Sequence, residues 1–106
     1  VGTNNINNFN FEVIKTYGHT MDSISFYFEE DKVMFTGDFI FRDSIGRCDL
    51  PGGNIDEMVD SLQRILKYDR DIILYPGHGD DTYLGYEIDN NIYFIHIRIK
   101  FKSASL

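Results

Sequence analysis

Residues 18–53 read GHTMDSISFYFEEDKVMFTGDFIFRDSIGRCDLPGG, and the alternation inside this stretch sets the fold class. In SISFYF (23–28), Ile24, Phe26 and Phe28 fall on one side and Ser23, Ser25 and Tyr27 on the other. A period of two predicts a strand. EEDK (29–32) is a polar turn, and VMFT (33–36) is a compact apolar run of the buried-strand type. From Phe39 to Gly53 no period holds, and Gly46, Pro51, Gly52 and Gly53 punctuate the segment. Irregular stretches of that length are uncommon in compact domains and are often functional.

Working outward, FEVIK (11–15) predicts a short strand before this stretch. The ten residues ahead of it, VGTNNINNFN, hold five Asn and no period, so 1–10 is expected to be a loop-like or disordered lead-in. Downstream, Asn54 stands three residues before Glu57, the capping-box spacing. Ile55, Met58, Val59, Leu62, Ile65 and Leu66 then recur at helical intervals, with Asp56, Asp60, Arg64 and Lys67 on the other side. DIILY (71–75) predicts a buried strand stopped by Pro76-Gly77, and TYLGYEIDNN (82–91) a helix weakened by Gly85. In IYFIHIRIKFK, Ile95, Ile97, Ile99 and Phe101 alternate with His96, Arg98, Lys100 and Lys102. That pattern predicts a basic-faced edge strand over the tail, 92–106. The expected domain therefore covers 11–91.

The chain has 106 residues and a formal charge of −7, enough for one small domain. Residues 1–91 carry 17 acids against 7 bases, a balance of −10, whereas 92–106 carry three bases and no acid. An acidic body of this kind excludes a general nucleic-acid binder, because phosphates would be repelled. No apolar run reaches the length of a membrane span, and no signal-peptide pattern is visible. Cys48 is the single cysteine, so no internal disulfide forms and a reducing, cytoplasmic location is expected. The start at Val1 rather than Met suggests a piece of a longer protein.

The residues that carry chemistry are His19, Asp38 and His78, each where an apolar strand ends beside glycine: Gly18-His19-Thr20, Gly37-Asp38 and Gly77-His78-Gly79. Imidazole and carboxylate are first choices of zinc, iron and manganese. Individually, each also suits a satisfied loop residue or turn cap. His96, in the tail, is read as solvent-facing. Cys48 is read as a small, partly buried thiol.

The order GHT, FTGD, IF, GR-x-D-x-P-G-G, PGHG and TYLGYE over residues 11–91 resembles the C-terminal half of the metallo-β-lactamase superfamily, closest in flavour to glyoxalase II (hydroxyacylglutathione hydrolase). The resemblance implies an α+β fold, half of an αββα sandwich, with one mostly antiparallel sheet and helices on one face. It implies that His19 binds a first metal, Asp38 bridges two metals as the catalytic carboxylate, and His78 binds the second. The ions, zinc or alternatively iron or manganese, would hold the hydroxide that attacks a small-molecule thioester. Arg47 matches a loop that contacts the glutathione part of such substrates, and a pair with Asp49 or Asp43 is the alternative. The family's other ligands, an H-x-H-x-D-H motif, do not occur in this chain. Two donors per ion fall short of the three that a catalytic zinc takes, so the resemblance implies full activity only for a completed domain. A sheet face left open by the missing half would call for that half, or for a second copy as a homodimer. Two further readings share the fold: a non-catalytic self-associating remnant, and a mononuclear iron persulfide dioxygenase, which shares the GR-x-D loop.

Overall fold

The computed structural model describes the backbone of residues 2–6, 9–49 and 52–104, and the side chains of 10–49 and 52–100. Val1, Asn7 and Asn8 of the lead-in, Leu50 and Pro51 of the GR-x-D-x-P-G-G loop, and Ser105 and Leu106 of the tail lie outside the described residues. A six-stranded sheet has the order β1 (Gly2–Ile6), β2 (Phe9–Lys15), β3 (Ile24–Phe28), β4 (Val33–Gly37), β7 (Ile73–Pro76), β8 (Thr82–Tyr83). All of its pairings are antiparallel except β4 with β7. A small hairpin, β5 (Ile40–Phe41) and β6 (Ser44–Ile45), follows β4. The helices are α1 (Ile55–Ile65), α2 (Leu84–Asn90) and α3 (Ile92–Ala104). The mostly antiparallel sheet and the α+β class agree with the expectation.

Register follows from the alternation. Glu12 pairs with Tyr27, Tyr27 with Met34, Met34 with Leu74, and Leu74 with Thr82, a cross-strand row on the helix side. Tyr27, Met34 and Leu74 on that row are buried, together with Ile14, Met58, Leu62, Ile65 and Phe94. Each fully buried Leu, Ile or Met stabilises the fold by about 1.5–3 kcal/mol relative to exposure. Small hydroxyls on this side are all satisfied. Thr16 bonds Ser25 at 3.0 Å, Thr36 donates to the Ile40 carbonyl at 3.1 Å, and Ser61 donates to the Tyr17 carbonyl at 2.7 Å. Tyr68 donates its hydroxyl to Glu12 at 3.1 Å; burial first, then that carboxylate, pushes its pKa well above the ordinary phenol value.

The opposite face carries the other half of the alternation. Val13, Phe26, Phe35 and Tyr75 form its cross-strand row. Phe11, Phe26, Phe28, Phe35 and Tyr75 make a continuous run of edge-to-face and stacked rings with centroids 5.4–5.9 Å apart. Phe35 is nevertheless 46% exposed and Ile24 40%. No helix covers this face among the described residues.

Two expectations are corrected. Residues Gly2–Ile6 are not a loop-like lead-in; they form β1, pairing with β2 from Gly2↔Val13 to Ile6↔Phe9. The Asn-rich run lacks its own pattern, but the edge of β2 supplies partners for its backbone groups, which sequence periodicity does not report. Residues 92–106 are not a basic edge strand either, because Ile92–Ala104 is α3. Phe94 and Ile97, three apart and thus on one helical face, are buried. The helix also has a start signal: Asn91 Oδ1 accepts the Tyr93 N–H at 3.0 Å. Arg98 donates to the Ile88 carbonyl near the end of α2 at 2.9 Å. Burial of two residues outweighs an alternation that, as a helix, leaves Ile92 and Ile99 more than 60% exposed. Arg98 and Lys100 remain exposed, and the Lys102 side chain lies outside the described residues.

The predicted cap on α1 is formed, with Asn54 Oδ1 accepting the Glu57 N–H at 3.0 Å. Asn54→Ala is expected to lower stability by about 1 kcal/mol. A urea midpoint indistinguishable from the parent's would count against the cap's contribution.

Candidate metal centre

β2, β4 and β7 run in one direction, since β3 is antiparallel to both β2 and β4 and β7 is parallel to β4. Their carboxyl ends therefore share one end of the sheet, where α/β folds commonly place ligands. Asp38 follows β4 directly, and His78 follows β7. The Gly77 N–H donates to the Gly37 carbonyl at 2.8 Å, fixing these two strand ends side by side.

His19 arrives differently. The chain leaves β2 through Gly18, whose φ of +143° favours glycine. A Cβ there would sit 2.6 Å from the Met58 Cα, so Gly18 lies against the first turn of α1. Its carbonyl accepts the Asn54 N–H at 2.8 Å. Thr20 and Ser23 share a 2.6 Å hydroxyl contact that ties the rest of the turn.

The structure brings His19, Asp38 and His78 together. His19 Nε2 is 3.7 Å from Asp38 Oδ2, and His78 Nε2 is 3.4 Å from Asp38 Oδ1, so each imidazole faces a different carboxylate oxygen. His19 Nδ1 is 2.7 Å from the Arg47 carbonyl. A carbonyl only accepts, so Nδ1 carries a proton and Nε2 is the ring nitrogen turned toward Asp38, the orientation of metal-binding histidines held by an outer partner. Side-chain exposure rises from His19 (25%) through Asp38 (48%) to His78 (77%). The exposed His78 ring is stacked on Phe41, with centroids 4.6 Å apart and planes 21° from parallel. Among the described residues, no group of three or more His, Cys, Asp or Glu side chains closes on a common point that could hold an ion. The donor types suit zinc, iron or manganese, and their count suits part of a site rather than a whole one.

Arg47 pairs with Asp49 through two 3.1 Å contacts, Nε to Oδ1 and Nη2 to Oδ2, and both side chains are largely exposed. This pairing raises the Arg47 pKa and, with a backbone hydrogen bond, lowers that of Asp49. Asp43 instead accepts the Tyr86 hydroxyl at 2.8 Å. Cys48 is half-buried against the core, and His96 is exposed on α3. An open cleft of about 620 Å³ adjoins His78 and is lined by Phe41, Arg42, Ser44 and Asp80. From sequence, Phe41 counts only as part of the IF motif and Arg42 only by its place in an irregular segment between two candidate ligands; neither is given a role.

This chain belongs to the metallo-β-lactamase superfamily, whose family model matches residues 3–78. It is 37% identical over 90 residues to a "Probable metallo-hydrolase" of Streptococcus pyogenes, covering 84% of this chain and 39% of that protein. It is 40% identical over 87 residues to "Hydroxyacylglutathione hydrolase GloC" of Haemophilus influenzae, covering 81% and 41%. Among solved structures, the BLEG-1 B3 metallo-β-lactamase superposes with a TM-score of 0.83 at 38% identity, over 87% of this chain and 44% of that one. ETHE1 from Myxococcus xanthus gives 0.78 at 32%, over 91% and 48%. TTHA1623, in a di-iron-bound form, gives 0.74 at 40%, over 76% and 41%. The chain thus spans about two fifths of the curated relatives it matches. The fold is that of one half of the superfamily's sandwich.

Gly46 closes the site from behind: a Cβ there would fall 1.9 Å from the Asp38 carbonyl oxygen and 3.2 Å from the His19 Cβ. Gly46→Ala is expected to cost about 1–3 kcal/mol through forced backbone displacement. An unshifted thermal melt would show that this loop yields freely.

Proposed function

We propose that the chain supplies one half of a metal-dependent hydrolase acting on a small-molecule thioester, of hydroxyacylglutathione-hydrolase type. The observation that carries this reading is Asp38 standing between two histidines, one on each carboxylate oxygen. His19 would hold a first metal through Nε2, His78 a second through Nε2, and Asp38 both. Divalent ions so held make bound water acidic enough to attack at neutral pH and polarise a carbonyl. The remaining donors would come from a segment not in this chain, consistent with its matching about two fifths of its relatives. Zinc is the metal proposed, with iron or manganese as alternatives; the relative TTHA1623 is described as di-iron-bound. Arg47, freed from Asp49, would pair with a substrate carboxylate. The lone Cys48 fits a reducing, cytoplasmic setting; among the described residues no helix is long and apolar enough to cross a membrane.

The same partial coverage supports a second element of the proposal. The aromatic face of Phe26, Phe28 and Phe35 is the contact surface for the other half of the domain, and in its absence for a second copy of this chain. A second reading, an iron-dependent persulfide dioxygenase, keeps the ligands and changes the chemistry; the Gly46-Arg47-Cys48-Asp49 loop and the likeness to ETHE1 favour it. One iron per completed domain, with oxygen uptake on a glutathione persulfide, would select it over hydrolysis. A non-catalytic remnant, by contrast, would bind no metal and turn over neither substrate.

In the completed domain, His19→Ala, Asp38→Ala and His78→Ala are each expected to abolish zinc uptake while leaving the circular-dichroism spectrum intact; full metal content in all three overturns the assignment. Arg47→Ala should raise KM for a glutathione thioester more than it changes kcat. For the isolated chain, Phe35→Lys is expected to shift sedimentation toward the monomer, and an unchanged mass would remove this face from self-association.

A further inference from the structure

Glu87 is fully buried, and nothing in the ligand set uses it. Its side chain accepts three hydrogen bonds: Oε1 takes the Asp43 N–H at 2.9 Å and Asn91 Nδ2 at 2.9 Å, and Oε2 takes the Thr82 hydroxyl at 2.7 Å. Asn91, one helical turn on, also donates Nδ2 to the Ser44 carbonyl at 3.1 Å. Glu87 and Asn91 thus hold the Asp43 amide in the β5–β6 turn and the Ser44 carbonyl at the start of β6. The turn needs a grip, because Asp43 sits at φ +64°, a left-handed conformation that a non-glycine residue keeps only when its surroundings hold it.

The strand that leads into this turn ends in Phe41, the residue stacked on His78. Within the hairpin Ile40 pairs with Ile45 and Phe41 with Ser44, so a displaced turn moves Phe41 directly. At the turn itself Asp43 Oδ1 also accepts the Tyr86 hydroxyl at 2.8 Å, a side-chain tie that leaves the Asp43 N–H to Glu87. At the far end Thr36 bonds the Ile40 carbonyl and the Gly46 N–H bonds the Phe39 carbonyl. His78 is the most exposed of the three candidate ligands and, among the described residues, has no outer hydrogen bond comparable to that of His19 to the Arg47 carbonyl.

We propose that Glu87 is a positioning residue: by holding the Asp43 turn it sets Phe41, and Phe41 sets the plane of the His78 ring. His19 is oriented by a hydrogen bond and His78 by a ring face that a buried carboxylate on α2 holds in place. The consequence for metal binding rests on His78 being a ligand. The positioning itself does not.

The test is NMR of the 106-residue chain, reading the ring-current displacement of the His78 ring protons, their cross-peaks to Phe41, and the exchange rate of the Asp43 amide. Glu87→Gln keeps an acceptor for Asp43 and Asn91 and can donate to the Thr82 oxygen, so it should preserve the stack. Glu87→Met fills the same space without acceptors. It should lose the cross-peaks and the displacement and speed Asp43 exchange about tenfold or more, while core methyl shifts of Leu62 and Leu74 stay in place. Thr82→Val, which removes only the bond to Oε2, should leave the stack as it is. If Glu87→Met does not fold, Asn91→Ser, which releases the Ser44 carbonyl and one Glu87 bond, is read in the same way. A folded Glu87→Met or Asn91→Ser protein with the stack intact overturns the proposal, as does a Glu87→Gln protein that loses it. Zinc titration of the completed domain tests the ligand reading separately. A stack lost in Glu87→Met with zinc affinity unchanged supports Glu87 as the anchor and counts against His78 as a ligand.

Discussion

The parallel ladder between β4 and β7 is the constraint on which the rest depends. The other pairings of the sheet are antiparallel and could be closed by local turns, but a parallel pair needs a long crossover. Here that crossover is the hairpin, the irregular loop and α1, so the one helix with a clear apolar face is also what lets two strand ends lie together. The bond from the Gly77 N–H to the Gly37 carbonyl then fixes how Asp38 and His78 stand to each other. His19 joins them because β2 runs in the same direction two strands away.

The two faces of the sheet have different fates, and the alternation in β3 shows why. Ser25 and Tyr27 turn toward the helices and are buried, whereas Ile24 and Phe26 turn toward a ladder of aromatic rings. Rings in mutual contact shelter one another partly, yet Phe35 at the centre stays nearly half exposed. A face built this way is what the proposal of a covering half-domain or second copy rests on.

Much of this was legible in the chain. The cap at Asn54, the apolar stripe of α1, the period-two runs of β2 and β3 and the apolar run of β4 are local signals. Each element lies where it was expected, although Phe35 within the apolar run is half exposed. The three strand-end groups were legible because glycines flank them. The rest depended on tertiary partners. β1 has no pattern of its own and exists because β2 offers an edge. The alternation of Ile and cationic residues in 92–102 satisfies a strand template, but Phe94 and Ile97 found a helical seat against α1 and α2. Phe41 and Glu87 stood in the IF and TYLGYE motifs without a role of their own, since a stacked ring and a buried carboxylate matter only once a fold brings them to their partners. Arg47 was open between two readings, and in this structure it lies with Asp49.

Gly18 ties the loop of His19 to α1 twice, once by accepting the Asn54 N–H and once by lying against Met58 with no room for a side chain. A loop so attached does not breathe independently of its neighbour. To release His19, the chain must also unwind the first turn of α1 and expose part of the Met58 seat, so loop and helix end open as one cooperative unit. Substitutions on the outer surface of α1, far from any ligand, therefore act on how long His19 stays in place. The stability of a helix that supplies none of the three candidate ligands becomes a property of the loop that carries one.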